Sequence, residues 1–575
     1  MQIKQIKFSN YRNLNNLEVK FSPDVSFIIG ENGIGKSNIL NALSKIFVYN
    51  KFSDSDFAEK DKEIQIDVSL SLSSEEIGAF DEYTDPSNPN LINLIIKQGI
   101  DDITLKVFHV ETEEEISPKL LKNVFYIYYD SLRNPKTELS FEKEKGGGSF
   151  LNFLIKYYLG KHEEEDEAYV DKTKLSQVLA FVNEKINQIQ TVRRSNVSVN
   201  MDSSNIIFLN SIFQLYDGKK IELKKSGYGI QFSLLVIFSL FERLIDITAK
   251  AQKQGRPLKE VNCVMAFDEP EIHLHPFAQR ALVKELLNNA AGKDEGFNKV
   301  IKELLGIETF TAQLLIVSHS DRIIVGGYEN IVRIYSQERE IKAISGHTIK
   351  TINAGQLKKY EKHLQKQFPY FCEAMFAKKV LFVEGECELG ALNVFAKTMG
   401  IDIDNCGISI INAYGGESVN PLIKIFSFFK IECLGLKDRD VYDKNKRDGK
   451  STAEDDQLIK EGKLVLTQEL NFEFEIVKAF GNMNDLYSYL KKWDASYVEP
   501  KQKENVNKFI SKFNLTVSPI SNDLKWEDCD EKYKKIFLLV ALSNIKSIAA
   551  GAILAEGLTI DNIPQIYKEI LGGVV

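Results

Sequence analysis

The stretch Gly30-Glu31-Asn32-Gly33-Ile34-Gly35-Lys36-Ser37 constrains this chain more than any other. The apolar run from Val25 to Ile29 leads into it, and Asn38 to Phe47 follows with apolar residues at helical spacing. A buried strand, a glycine-rich turn and a helix in that order predict an α/β fold with the turn at the strand's carboxyl end. The glycines allow backbone N–H groups to close around phosphates. Lys36 can reach β- and γ-phosphates, and the Ser37 hydroxyl is placed to ligate Mg²⁺. The positive end of the helix dipole adds to the attraction. Asn32, Gly33, Gly35, Lys36, Ser37 and Asn38 are therefore the expected nucleotide contacts.

At 575 residues the chain is too long for one ordinary core, so two or three domains are expected. Its apolar fraction of 43% and charged fraction of 27% are those of a soluble globular protein. No stretch reaches the length of a membrane span, and Met1-Gln2-Ile3-Lys4 opens a strand pattern in place of a leader; a cytoplasmic protein with no membrane contact is expected. The six cysteines form no C-x-x-C pair and read as buried, reduced thiols. A net charge of −8 gives no global attraction to nucleic acid, which leaves any DNA contact to local basic patches.

Alternation at period two marks strands at Ile3–Phe8, Leu17–Phe21 and Ile64–Leu72, an antiparallel meander beside the glycine-rich turn, and Leu121–Tyr129 is a more uniformly apolar strand candidate. Composition shifts at Lys145-Gly146-Gly147-Gly148-Ser149. Helical patterns at Phe150–Leu159 and Lys172–Gln190 bracket the acidic run Glu163–Glu167, and the second carries an apolar stripe that either packs on its own domain or forms a dimer surface. Asp217-Gly218 signals a hairpin between Ile212–Tyr216 and Lys219–Leu223. Ser226-Gly227-Tyr228-Gly229-Ile230-Gln231 then opens a long apolar helix, a second candidate phosphate contact.

The run Val261 to Phe267 is a buried strand ending in Asp268-Glu269-Pro270. Asp268 there suits a Mg²⁺-bound water, and Glu269 can polarise the water that attacks a γ-phosphate. His273 and His275 stand at i and i+2 with no further ligand evident. Leu314 to Val317 is another buried strand, with His319 just past its end, where an imidazole could sense the γ-phosphate.

These four motifs, in this order, resemble the ABC-type ATPase heads of the RecF and SMC group over Met1 to roughly Glu340. The resemblance implies ATP as cofactor. It also implies a sandwich of two heads in which Ser226, Gly227 and Gly229 of one head complete the nucleotide site of the other, and it places Arg12 where such heads carry a nucleotide-contacting arginine. One departure stands out: no convincing glutamine loop lies between the glycine-rich turn and Asp268.

After Phe371 the pattern resets to alternating strand and helix. Lys379–Val383 ends in Glu384-Gly385-Glu386-Cys387-Glu388, Ile408–Ala413 ends at Gly415-Gly416, and Cys433–Lys437 ends in Asp438-Arg439-Asp440. Carboxylates at the ends of adjacent parallel strands converge on one rim. Glu384, Glu388, Asp438 and Asp440 would repel strongly there without a cation, which Mg²⁺ or Mn²⁺ answers, and two ions would match two-metal phosphodiester cleavage. The polar segment Asp443–Lys460, with Lys444, Lys446, Arg447 and Lys450, reads as a loop that either holds DNA phosphates or is simply solvated.

Glu-Gly-x-x-Glu followed by Asp-x-Asp resembles a Toprim domain, and an ABC head followed by Toprim resembles the OLD (overcoming lysogenization defect) family of nucleases, which includes the nuclease subunit of Gabija anti-phage systems and retron-associated effectors. The resemblance implies a further acidic ligand, Glu473 ahead of Glu475, and a late catalytic lysine, which Lys546 matches; otherwise Lys546 is a surface lysine on an apolar helix. The expected architecture is an ABC-type head (1–145 and 205–365) with a helical insertion (146–204, a candidate dimer surface), followed by a Toprim domain (371–575). The expected function is an ATP-regulated, metal-dependent DNA endonuclease or nickase in anti-phage defence, with Glu384, Asp438, Lys546, Glu269 and His319 catalytic. Expected partners are double-stranded DNA, further copies in a homodimer or homotetramer, and a helicase-like protein or a retron's reverse transcriptase and DNA. From another class, an ATP-switched DNA-binding clamp of repair with an inactive Toprim domain would share the motifs.

Overall fold

The glycine-rich turn emerges from the centre of a six-stranded sheet. In a computed structural model of the chain, the strand order is Glu340–Ser345, Ile331–Gln337, Val25–Gly30, Thr309–Val317, Glu260–Asp268, Tyr126–Tyr129, all parallel except the first. The description covers residues 1–72, 83, 88, 90–130, 133–139, 147–161, 172–201, 213–253, 255, 257–324, 327–349 and 370–574. The contacts divide the chain into two units, Met1–Thr348 and Ile349–Val575.

In the first unit a second, antiparallel sheet is built on Gln2–Ser9, Glu18–Lys20, Ile64–Ser71, Leu91–Gln98, Lys106–His109 and Glu115–Ile116. Every other residue of Ile64–Ser71 is buried, as half-buried strands require. The Lys36–Ser44 helix packs Ile39, Leu40 and Leu43 into a core shared by Phe8, Ile66 and Val68 of this sheet and Val264 and Leu315 of the parallel one. The strand expected from Leu121 begins later: Ser117 caps a 3₁₀ turn over Pro118–Asn123, and only Tyr126–Tyr129 joins the sheet.

The helices of the insertion run over Gly147–Lys161 and Lys172–Ile186. Phe150 stacks on Phe241 of the long Tyr228–Lys253 helix at 4.4 Å, and Val178, Val182, Ile186 and Ile189 are buried within this chain, so much of the apolar stripe is spent on its own unit. Residues 145–146 of the glycine-rich stretch, the acidic run Glu163–Glu167 and residues 202–212 lie outside the described residues. The expected hairpin shrinks to one antiparallel bridge, Tyr216 with Glu222, with the Asp217 N–H donating to the Ile221 carbonyl at 3.0 Å. Phe213–Tyr216 pairs with Ser198–Met201 instead, because the Asp217 carboxylate accepts from the N–H groups of Lys219 and Ile221 and curls the chain into a turn.

The second unit carries a parallel sheet in the order Ile408–Asn412, Lys379–Val383, Glu432–Lys437, Leu464–Leu466, the last strand not anticipated from the sequence. Asp443–Lys460 is not a simple loop: most of it lies in the helices Arg439–Arg447 and Ala453–Lys460, the latter tied down where Lys437 Nζ meets Asp455 Oδ1 at 2.7 Å. Helices Phe472–Phe480, Glu531–Ser543, Ile548–Glu556 and Gln565–Val574 close the core. No helix among the described residues is long and apolar enough to cross a membrane.

Glu386–Thr398 and Ile548–Glu556 approach so closely that a Cβ on Gly390 would lie 1.9 Å from the Ile548 carbonyl oxygen, and one on Gly551 1.9 Å from that of Cys387. Gly390→Ala should therefore destabilise the second unit by about 1–3 kcal/mol, against the roughly 1 kcal/mol that alanine ordinarily gains in a helix. Urea unfolding checks this, and any stabilisation contradicts the close packing.

Candidate active sites

Three parallel strands of the first unit end side by side on one rim, running into the glycine-rich turn, into Ser318-His319 and into Asp268-Glu269. Thr309–Val317 lies between the other two, with Val317 opposite both Ile28 and Asp268. Ser37 Oγ donates to Asp268 Oδ1 at 2.9 Å. Burial raises the Asp268 carboxyl to about 6, the Ser37 bond opposing and the Glu269 and Asp130 charges adding. Lys36 is buried too, and its Nζ donates to the carbonyls of Gly30 at 2.9 Å and Glu31 at 2.7 Å. Desolvation lowers it to about 8. A buried cation turned onto its own loop carbonyls, beside a serine–aspartate pair, suits a triphosphate and its Mg²⁺.

Gly35 sits at φ +109°, where a Cβ would strike Leu14 at 2.7 Å and the Asn13 amide at 2.9 Å; no other residue fits. Asn32 and Gly33 are exposed at the crown of the turn. Arg12 reaches the following helix, its Nη1 donating to Asn38 Oδ1 at 2.6 Å, while its Nε and Nη2 hold Asp56 at 2.9 and 2.8 Å. Glu269 takes a left-handed φ of +49°, and its Oε1 lies 3.2 Å from His319 Nε2. Burial, then the Lys36 charge, hold His319 below its ordinary value, with the Glu269 carboxylate opposing.

Ser226 Oγ donates to Asp217 Oδ2 at 2.9 Å, and Gln231 Nε2 donates to the Ser226 carbonyl at 2.8 Å; Gly227 precedes and Gly229 lies in the first turn of the long helix. His273 packs its ring 4.9 Å from Phe232, and the His275 side chain caps the Pro276–Ala290 helix, which gives the two histidines packing and capping roles. Where the sequence shows no glutamine loop, the Tyr126–Tyr129 strand places Asp130 just past Tyr129, which pairs with Phe267. An acidic residue closing that strand was the available signal.

In the second unit Glu384, Glu388, Asp438, Glu473 and Lys546 line one cavity of about 220 Å³, with Cys387 and Phe472 in its wall. Glu384 Oε2 accepts from the Asp438 N–H at 3.0 Å. Desolvation first, then the neighbouring carboxylates, pushes Glu388 and Asp438 far up, and burial likewise raises Glu384 and Asp440. Asp440 does not line the cavity, but its charge adds to the rise at both Glu384 and Asp438. Glu473 points into the cavity, 4.0 Å from Lys546 Nζ, whereas Glu475 Oε1 accepts from the Glu469 N–H at 2.7 Å and is spent on its own loop. Lys546 lies in the turn between two helices, not on one.

The buried oxygens Asp438 Oδ1 and Asp440 Oδ1 have no hydrogen-bond partner among the described residues. An all-carboxylate donor set with two orphaned oxygens fits a hard divalent cation. Among the described residues no three acidic, histidine or cysteine side chains already close on one point; the donors ring the cavity.

The chain matches two family models: AAA ATPase domain over residues 1–190 and 148–324, and Overcoming lysogenization defect protein-like, TOPRIM domain over 375–440. It is similar to the Old nuclease of Escherichia phage P2, 19% identical over 76% of each chain, and to Endonuclease GajA of Bacillus cereus (strain HuB5-5), 21% identical over 62% of this chain and 49% of that one. It thus spans about three quarters of the first relative and about half of the second. Among solved structures it is similar to an SMC head bound to the C-winged helix domain of ScpA, 14% identical, with a TM-score of 0.37 over 60% of this chain and 98% of that one. The fold is an α/β ATPase head followed by a Toprim domain.

The raised carboxyls set a sign for stability. The folded chain holds protons on Asp438 and Glu384 at pH values where the unfolded chain, titrating near about 4, has lost them, so stability falls as pH rises through that window. In EDTA, the drop in Tm between about pH 4 and pH 8 should shrink in Asp438→Asn, since the variant cannot ionise there. Scanning fluorimetry with parallel wild-type and variant profiles would contradict the buried cluster.

Proposed function

This chain belongs to the AAA ATPase domain family, and we propose that it is an ATP-binding and ATP-hydrolysing, divalent-metal-dependent DNA endonuclease or nickase whose nucleotide state regulates cleavage. The observation that carries the reading is the cavity that joins Glu384, Glu388, Asp438 and Glu473 to a single lysine, Lys546. Its partner half is the pairing of Ser37 with Asp268 beside a buried Lys36.

In the ATPase half Lys36 would face the β- and γ-phosphates, Ser37 and Asp268 would hold Mg²⁺, and Glu269 would orient the attacking water with His319 beside it. Asn32, Gly33, Gly35 and Asn38 shape the phosphate cradle, and Arg12 steadies it through Asn38. In the Toprim half Glu384, Glu388, Asp438, Asp440 and Glu473 would hold Mg²⁺ or Mn²⁺, which supplies Lewis-acid and water-activating chemistry for phosphodiester hydrolysis. Lys546 stabilises negative charge developing on the scissile phosphate. Double-stranded DNA approaches over the exposed Lys444, Lys446, Arg447 and Lys450.

Two heads close on ATP in a homodimer or homotetramer, with Ser226, Gly227 and Gly229 of one completing the site of the next. The names of the two relatives, a phage nuclease and an endonuclease, support the cleavage reading. A cytoplasmic role in anti-phage defence, with a helicase-like or retron partner, extends the OLD resemblance.

Asp438→Asn should lower plasmid cleavage in Mg²⁺ on the order of 100-fold or more while ATP hydrolysis persists, because it removes one anionic ligand at little change in volume. Lys36→Ala should instead weaken nucleotide binding, because it removes the charge that faces the β- and γ-phosphates, read by equilibrium titration with a fluorescent ATP analogue. Full cleavage by folded Asp438→Asn, or unchanged nucleotide affinity in Lys36→Ala, overturns the corresponding half.

A further inference from the structure

We propose that Glu271 is the positioning residue of the ATPase site, the group that locks His319 against Glu269. The inference rests on the ATPase reading of the first unit and assigns a role to a carboxylate that reading leaves unused.

Three acids follow one another at the end of the Glu260–Asp268 strand, and each faces a different way. Asp268 meets Ser37, Glu269 meets His319 Nε2, and Glu271 turns inward under the neighbouring strand. The left-handed φ of +49° at Glu269 and the Pro270 after it produce the divergence. Glu269 N donates to the Val317 carbonyl at 3.0 Å, which pins this turn to the end of the Thr309–Val317 strand.

Glu271 is 7% exposed. Its Oε1 accepts from Ser318 Oγ at 2.5 Å and from the His319 backbone N–H at 3.1 Å. Ser318 Oγ in turn accepts from the Ser320 N–H at 2.8 Å. One buried oxygen therefore fixes the backbone on both sides of the His319 Cα, and with it the direction in which the imidazole leaves the chain. The His319 imidazole meets Glu269 Oε1 at 3.2 Å, and the direction from which it does so depends on the backbone that Glu271 holds.

A buried carboxylate with a second oxygen, Oε2, that finds no hydrogen-bond partner among the described residues is an expensive way to finish a strand. Stability alone would favour an apolar side chain there. The arrangement is accounted for if the acid is kept for the register it imposes: the turn bearing Glu269 and the turn bearing His319 move as one body, at a fixed 3.2 Å. Glu271 touches neither nucleotide nor water in this account; it acts through His319.

The test compares Glu271→Ala, Glu271→Asp and Glu271→Gln in the full chain. Glu271→Ala removes the acceptor, Glu271→Asp withdraws it by one methylene, and Glu271→Gln keeps an oxygen at the same reach. For the first two, kcat for ATP should fall on the order of 100-fold, as small misplacements of catalytic groups do, while KM and the affinity for a fluorescent ATP analogue stay within about twofold. Glu271→Gln should retain most of kcat. Without nucleotide, hydrogen exchange at the His319 amide should lose protection in Glu271→Ala and Glu271→Asp and keep it in Glu271→Gln, with the rest of the sheet unchanged. Should Glu271→Ala fail to fold, Glu271→Asp carries the comparison. Full kcat in folded Glu271→Asp, or a proportional rise in KM in place of a fall in kcat, overturns the proposal. If wild type neither binds nor hydrolyses ATP, it is the ATPase reading that fails, and the positioning role falls with it.

Discussion

Charge held out of water at the carboxyl ends of parallel strands is the constraint from which both units are built. A carboxylate in such a place is costly unless something pairs with it. The first unit answers within itself: Asp268 has the Ser37 hydroxyl and the nearby Lys36, and burial leaves both ionisable groups displaced toward neutrality, Asp268 upward and Lys36 downward. The second unit does not. Glu384, Glu388, Asp438 and Glu473 surround a cavity whose one basic lining residue, Lys546, is largely in solvent. Backbone N–H groups relieve Glu384, but Asp438 Oδ1 and Asp440 Oδ1 are left without a hydrogen-bond partner among the described residues. Protons held on the raised carboxyls make good part of that deficit, and a bound cation would make good the rest. The two units thus use the same strand-end geometry in opposite electrostatic states, one close to balanced before its ligand arrives and one strongly unbalanced.

What could be read from the sequence follows how local the determining interactions are. The glycine-rich turn was legible because strand, turn and helix are contiguous, and Asp268, Glu384 and Asp438 were legible because each ends an apolar run. The hairpin at Asp217 is cut to a single bridge, Tyr216 to Glu222, because a side chain organises that turn: the carboxylate takes the Lys219 and Ile221 N–H groups that a longer ladder would otherwise have used. The segment after Asp440 was read as a loop from its charge, yet Arg439–Arg447 and Ala453–Lys460 are helices with exposed polar faces. Glu473 and Glu475, two residues apart on one helix, were indistinguishable by composition; the structure separates them, with Glu473 lining the cavity and Glu475 accepting from the Glu469 N–H. Asp130, whose charge adds to the rise at Asp268, was not singled out because it reaches that site through the register of Tyr129 with Phe267, which no spacing in the chain encodes.

Lys546 shows how position can be selected without contributing much to stability. Its side chain is 72% exposed and lies 4.0 Å from Glu473 Oε1. An ion pair so hydrated is worth about 0–1 kcal/mol at most, so it does not explain why the turn that carries the lysine stands at the cavity. The backbone does. Gly390 and Gly551 let the helices Glu386–Thr398 and Ile548–Glu556 touch main chain to main chain, and Cys387 Sγ donates to the Ile545 carbonyl at 3.4 Å, one residue before the lysine. Burial pushes the Cys387 thiol up to about 12, which keeps its proton in place as a donor and removes it as a nucleophile. Two missing side chains and one inert thiol therefore fix the turn that carries the lysine, while the ammonium itself remains free to exchange Glu473 for another anion. A lysine paired tightly in a buried salt bridge would be better held and worse suited to meet a phosphate, because breaking that pair would cost several kcal/mol before any new contact formed.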